Sequence, residues 1–136
     1  MIHRWAILSA AAVLFGAAAV LLYQHGPDGL GVGPLCLFHR WTGFHCAGCG
    51  MTRATFALMH GDPVSAFRYN PLGMVLFPIA LLGSSMEAVG WARGKPVPWR
   101  LKVGARGAVF LLFLVVAFWI LRNIPCWPFT LLAPPV

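Results

Sequence analysis

The chain has 136 residues, 60% of them apolar and only 10% charged, with a mean hydropathy of +0.78. A soluble domain carries about a quarter charged residues, so this composition excludes an ordinary water-soluble globule and points to a bilayer as solvent. The formal net charge of +7 sets ten Lys/Arg against Asp28, Asp62 and Glu87, with no basic run interleaved with aromatics; nucleic acid is not an expected partner, and membrane topology is the better use of the charge.

Taken in chain order, the apolar run from Trp5 to Tyr23 approaches the ~20 residues that a helix needs to cross a bilayer, which predicts a span at about 5–23. His3, Arg4 and Ala17–Ala19 resemble parts of a secretory signal, yet the run exceeds the usual ~7–15 apolar residues, so a retained helix is expected. Ala12 and Gly16 give it a small-residue face suited to a partner helix or a second copy of the chain. The segment 24–70 follows as a loop too long to lack structure. Within it, Thr52 and Gly61 bracket a short helix over MTRATFALMH, and Asp62-Pro63 reads as N-cap and first residue of a second short helix over VSAFRY. Both are too short to span, which places them in the interface or partly re-entrant.

Asn70-Pro71 repeats the capping device and opens a second span at about 71–90, with a kink expected at Pro78. A third span is expected at 103–121, flanked by Arg106 and Arg122. Trp5, Tyr23, Trp91, Trp99 and Trp119 fall near the span ends, as an aromatic belt would place them. The loop at 91–102 and its edge carry Arg93, Lys95, Arg100, Lys102 and Arg106, so the positive-inside rule puts this loop and the N-terminus in the cytoplasm and 24–70 outside. The expected fold is an all-α integral membrane protein, one membrane domain over 1–136 with three transmembrane helices and two short helices in the outer cysteine loop. Its expected home is a bacterial inner (plasma) membrane.

The middle of the chain reads C-x9-C-x2-C-G-x-T-R, then HGD, then FRYNP. These motifs resemble the family of small bacterial membrane proteins known as domain of unknown function 2752. The resemblance implies a polytopic membrane protein without an established activity. It carries over to Cys36, Cys46, Cys49, Gly50, Thr52, Arg53, Gly61, Asn70 and Pro71; Cys126 lies outside the matched core.

Three chemistries are open to these cysteines. Cys36, Cys46 and Cys49 form a thiolate set for a structural metal, zinc above all, with Cys126, His45, His39 or His60 as fourth ligand. Cys46 and Cys49 also have the spacing of a thiol–disulfide oxidoreductase, helped by a helix N-terminus and Arg53, though no thioredoxin-like βαβ pattern surrounds them. Structural disulfides that staple the outer loop and tail of a scaffold subunit are the third, natural in an oxidising compartment. Arg53, with Thr52 and Asn70, is the candidate for binding an anionic membrane lipid or a protein partner, while Arg68 and Arg122 read as snorkelling or helix-end residues. Hydrolase and nucleotide-binding signatures are absent; Asp62 is explained as a cap, His60 as a helix end and Glu87 as an interfacial partner for Arg93 or Lys95. The sequence leaves enzyme and binding module both open.

Overall fold

The computed structural model describes residues 2–31, 36–98 and 103–134, and among these the fold is all-α, without strands. Helix α1 spans Ile2–Gly29, but its backbone breaks at Gly26 (φ 68°, ψ 169°). The break follows from the next residue: Pro27 has no N–H to donate and disfavours helical geometry at the position before it, which glycine relieves by adopting positive φ. Both residues are buried, and a Cβ on Gly26 would sit 3.6 Å from the Phe56 ring. The helix exceeds the expected 5–23 at both ends, at its C-terminal end because the chain resumes helical geometry past the glycine.

Three short helices follow rather than the expected two: α2 (Leu37–Thr42), α3 (Met51–Met59) and α4 (Pro63–Tyr69). The additional one, α2, is closed by Gly43 in the left-handed region. Asp62 caps α4 by accepting from the Ser65 N–H at 3.0 Å, and Gly61 makes the preceding turn at φ 75°. The faces of α3 and α4 meet through Ala54, Ala57 and Ala66 with Met74 and Tyr69, small side chains that let the two backbones approach closely.

Helix α5 (Pro71–Arg93) is capped by Asn70, whose Oδ1 accepts from the Gly73 N–H at 2.8 Å, and runs continuously through Pro78. It packs on α1 with its far end against the start of that helix: Arg4 Nη1 donates to the Trp91 carbonyl at 3.0 Å, and its guanidinium lies 5.3 Å from the Trp91 ring centre. Helix α6 (Ala105–Leu121) stops one residue before Arg122, and Phe129–Leu132 forms a 3₁₀ turn.

Two helices, Ile2–Gly29 and Pro71–Arg93, are long and apolar enough to cross a membrane, whereas the 17-residue α6 is a shorter apolar helix. Of the expected aromatic belt and basic loop, Trp99, Arg100 and Lys102 lie outside the described residues.

Candidate metal centre

The turn Cys46-Ala47-Gly48-Cys49 is closed by Cys49 N–H donating to the Cys46 carbonyl at 3.1 Å and by Met51 N–H donating to the Gly48 carbonyl at 3.0 Å. Gly50 makes the bend into α3 at φ 84°, and a Cβ there would stand 2.5 Å from the Tyr69 carbonyl oxygen. Only glycine meets both demands.

This turn aims two sulfurs inward, 3.2 Å apart, and Cys36 at the start of α2 brings a third to 3.3 Å from Cys46. The three Sγ atoms all lie within 4.8 Å of one another, and the three can hold a metal ion. All four cysteines are free thiols. A tetrahedral zinc with Zn–S bonds of ~2.3 Å needs sulfurs ~3.8 Å apart, so these thiols would spread by only about half an ångström to receive an ion.

Of the four residues expected to supply a fourth ligand, none joins this group. Cys126 is exposed, away from the three clustered thiols. His39 and His45 stack on each other with ring centres 4.4 Å apart, and neither contributes a nitrogen to the thiol cluster. His60 is turned elsewhere, stacked at 4.4 Å on Tyr23 and bonded through Nδ1 to the Phe56 carbonyl. Among the described residues the cluster is a set of three thiols.

What holds the turn in shape is a polar scaffold drawn from distant parts of the chain. Arg122, 1% exposed, donates through Nη1 to the carbonyls of Cys46 (3.0 Å) and Ala47 (3.1 Å) and through Nη2 to that of Cys49 (3.2 Å). Its guanidinium rests 4.9 Å from the Phe118 ring centre. Asn70, equally buried, donates through Nδ2 to Ala47 and Cys49 carbonyls at 3.0 and 3.3 Å while its oxygen caps α5. Asn123 clasps His45, accepting from its N–H at 2.7 Å and donating to its carbonyl at 2.8 Å. Buried carbonyls without donors cost free energy, and these three side chains satisfy them.

Arg122 therefore does something other than snorkel, and Asn70 has both ends of its amide engaged internally. The sequence signal for Arg122 is slight: it is a cation just past an apolar helix, on the side where the cysteines lie, and nothing in its spacing reveals a contact 73 to 76 residues away.

The thiols are electrostatically unequal. Burial pushes Cys49 up, and the neighbouring Cys36 and Cys46 thiols add to this, taking it to about 12. Burial also acts to raise Cys36, but hydrogen bonds from the Cys49 thiol, the His39 backbone and the Cys46 thiol outweigh it, and the pKa falls to about 7. The Cys36 proton thus leaves readily while the Cys49 proton is held, the pattern of neighbouring thiols that share a charge. His45 is lowered by burial first, then by the positive fields of His39 and Arg122.

Arg53 and Thr52 sit on the first turn of α3, Thr52 exposed and Arg53 half-buried. Arg53 lines a separate cavity of about 510 Å³, where its Nη2 lies 4.0 Å from Asp28 Oδ1. Asp28 lies two residues past the Gly26 break. Arg68 is exposed on α4.

No curated protein and no solved structure matches this chain. Residues 36–83, from the first clustered cysteine through the capped opening of α5, match the model of the family described as protein of unknown function (DUF2752), the same family that the cysteine motif resembles.

Proposed function

We propose that this is a small membrane-embedded module in which Cys36, Cys46 and Cys49 bind a structural metal, zinc, on the outer side of a bacterial inner membrane, and in which Arg53 faces an anionic lipid or a partner protein. The observation that carries the reading is the convergence of three free thiols inside 4.8 Å on a turn whose Cys46, Ala47 and Cys49 carbonyls are held by the buried Arg122 and Asn70 side chains. Soft thiolates suit zinc and copper(I) over hard cations, and a site braced in advance loses less on binding. Membrane insertion is supported by the two long apolar helices and by large apolar side chains left exposed along them, Val13, Leu14 and Ile79 among them. Helix α6 exposes Val109, Leu112 and Phe113, and its 17 residues reach the lower end of the ~17–25 that span a bilayer, so it serves as the third crossing. The basic loop after α5 then lies in the cytoplasm with the N-terminus.

The test is elemental analysis of detergent-purified protein together with a count of free thiols after denaturation. About one zinc per chain, lost equally in Cys46→Ser and Cys49→Ser, is the expected result; metal retained in both variants refutes the site. A second reading, thiol–disulfide exchange, is favoured by the 3.2 Å approach of the Cys46 and Cys49 sulfurs. It requires a metal-free protein whose Cys46–Cys49 pair cycles between dithiol and disulfide with an external thiol reagent.

A further inference from the structure

The cavity beside the thiol cluster has a composition that the metal does not explain. One cation, Arg53, stands among two carboxylates, Asp28 and Asp62, with Phe56, His60 and Tyr69 as ring-bearing walls. Three separate elements build it: the chain beyond the Gly26 break, the length of α3, and the capped start of α4. A purely anionic ligand would gain from Arg53 and be repelled by both carboxylates. A simple cation would meet the reverse.

We propose that this cavity binds the zwitterionic phosphate–primary amine headgroup of a phospholipid such as phosphatidylethanolamine. Arg53 takes the phosphate: its 4.0 Å approach to Asp28 is longer than a hydrogen bond, which leaves the planar guanidinium fork able to donate to two phosphate oxygens. The ammonium group goes to Asp28, whose side chain is 79% exposed, and to Asp62, whose carboxylate is held ionised by hydrogen bonds from the Ser65 side chain and backbone. Phe56 and Tyr69 also line the cavity and supply rings within it for the ammonium. The volume of about 510 Å³ lies within the ~300–1,000 Å³ typical of small-ligand sites and exceeds what one headgroup fills, leaving room for its glycerol. A lipid is the source because the cavity is built from the end of α1, past its apolar run, together with α3 and α4, the headgroup level if α1 and α5 span the bilayer. This inference rests on the membrane placement and on the Arg53 part of the proposed function, not on the metal, and it replaces an anionic lipid with a zwitterionic one.

The experiment is native mass spectrometry of the full-length, delipidated protein titrated with phosphatidylethanolamine, phosphatidylglycerol or phosphatidylcholine of one acyl composition, with soluble glycerophosphoethanolamine in parallel and metal content recorded on each sample. The expected result is saturable binding of phosphatidylethanolamine at least about tenfold tighter than of either other lipid, the scale of one charge-assisted hydrogen bond. Arg53→Gln should weaken all three lipids, while Asp28→Asn, at an exposed position, should weaken phosphatidylethanolamine alone. Equal binding of phosphatidylglycerol overturns the zwitterion and leaves the anionic-lipid reading standing. Indifference of every lipid to Arg53→Gln overturns both, and neither result bears on the thiols. Glycerophosphoethanolamine binding as tightly as the lipid would assign the site to a soluble ligand and refute the lipid source.

Discussion

Replacing Arg122 and Asn70 separately and together should reveal that the two side chains back each other up. Arg122→Leu removes three charge-assisted donors, yet no carbonyl is left entirely bare: Ala47 and Cys49 keep Asn70 Nδ2, and Cys46 keeps the Cys49 N–H. At roughly 1.5 kcal/mol or more per charged hydrogen bond, partly offset by no longer burying the guanidinium, the expected cost is about 3 kcal/mol. Asn70→Ala loses a helix cap worth about 1 kcal/mol and two donors whose carbonyls remain covered by Arg122, for a total of about 2–3 kcal/mol. The double variant strips Ala47 and Cys49 carbonyls of both donors, and each orphaned buried acceptor adds about 1–3 kcal/mol, so the pair should cost at least about 2 kcal/mol more than the sum of the singles. Competition for the metal against a chelator reads this directly, since the affinity of a folded site falls with the stability of its turn; about 3 kcal/mol corresponds to a loss of roughly a hundredfold. Strictly additive effects, or an Arg122→Leu variant with unchanged affinity and thermal stability, would refute the shared scaffold.

Further outcomes are expected of the same protein. In its metal-free form Cys36 should be alkylated first: thiolate is the reactive species, so its rate should climb as pH rises through about 7, while Cys49 stays protonated until about 12. Mass mapping after brief iodoacetamide treatment checks this, and uniform labelling of the three would count against it. Gly50→Ala must combine a left-handed backbone with a Cβ 2.5 Å from the Tyr69 carbonyl; a loss of about 2 kcal/mol or more in thermal unfolding is expected, and wild-type stability would show that the turn relaxes freely. A topology reporter fused after Lys95 should be active only as a cytoplasmic fusion; outer-side activity inverts the orientation and moves the thiols into a reducing compartment.

Much of the chain announces itself locally. Asp62-Pro63 and Asn70-Pro71 carry their capping chemistry within three residues, and the structure has both caps where the side chains imply them. The C-x-x-C turn is likewise a local device. Helix α2 has no such sign: Cys36 at its N-cap offers no side-chain cap, LFHRWT lacks an amphipathic repeat, and none of its residues is buried. The role of Asn70 as a clamp on the cysteine turn was hidden behind its more obvious role as a cap. Arg122 was misread for a related reason: a terminal arginine on an apolar helix ordinarily reaches for water, and only the folded chain shows that the carbonyls of Cys46, Ala47 and Cys49 are the better partners. The Asp28–Arg53 approach lies just past the Gly26 break, which shows in the sequence only as a glycine before a proline.

The attachment of α6 has a mechanical meaning. A cavity of about 750 Å³ separates Leu111 of this helix from Ile79 and Gly83 of α5, whereas its last residues are fastened through Arg122, Asn123 and the edge contact of Trp119 with Phe38. The helix is thus tied to the cysteine turn at its last residues, with an open cavity between its middle and α5. If α6 crosses the bilayer as proposed, a change in its tilt would act on the Cys46, Ala47 and Cys49 carbonyls through Arg122, the point at which the helix is tied to the cysteine turn.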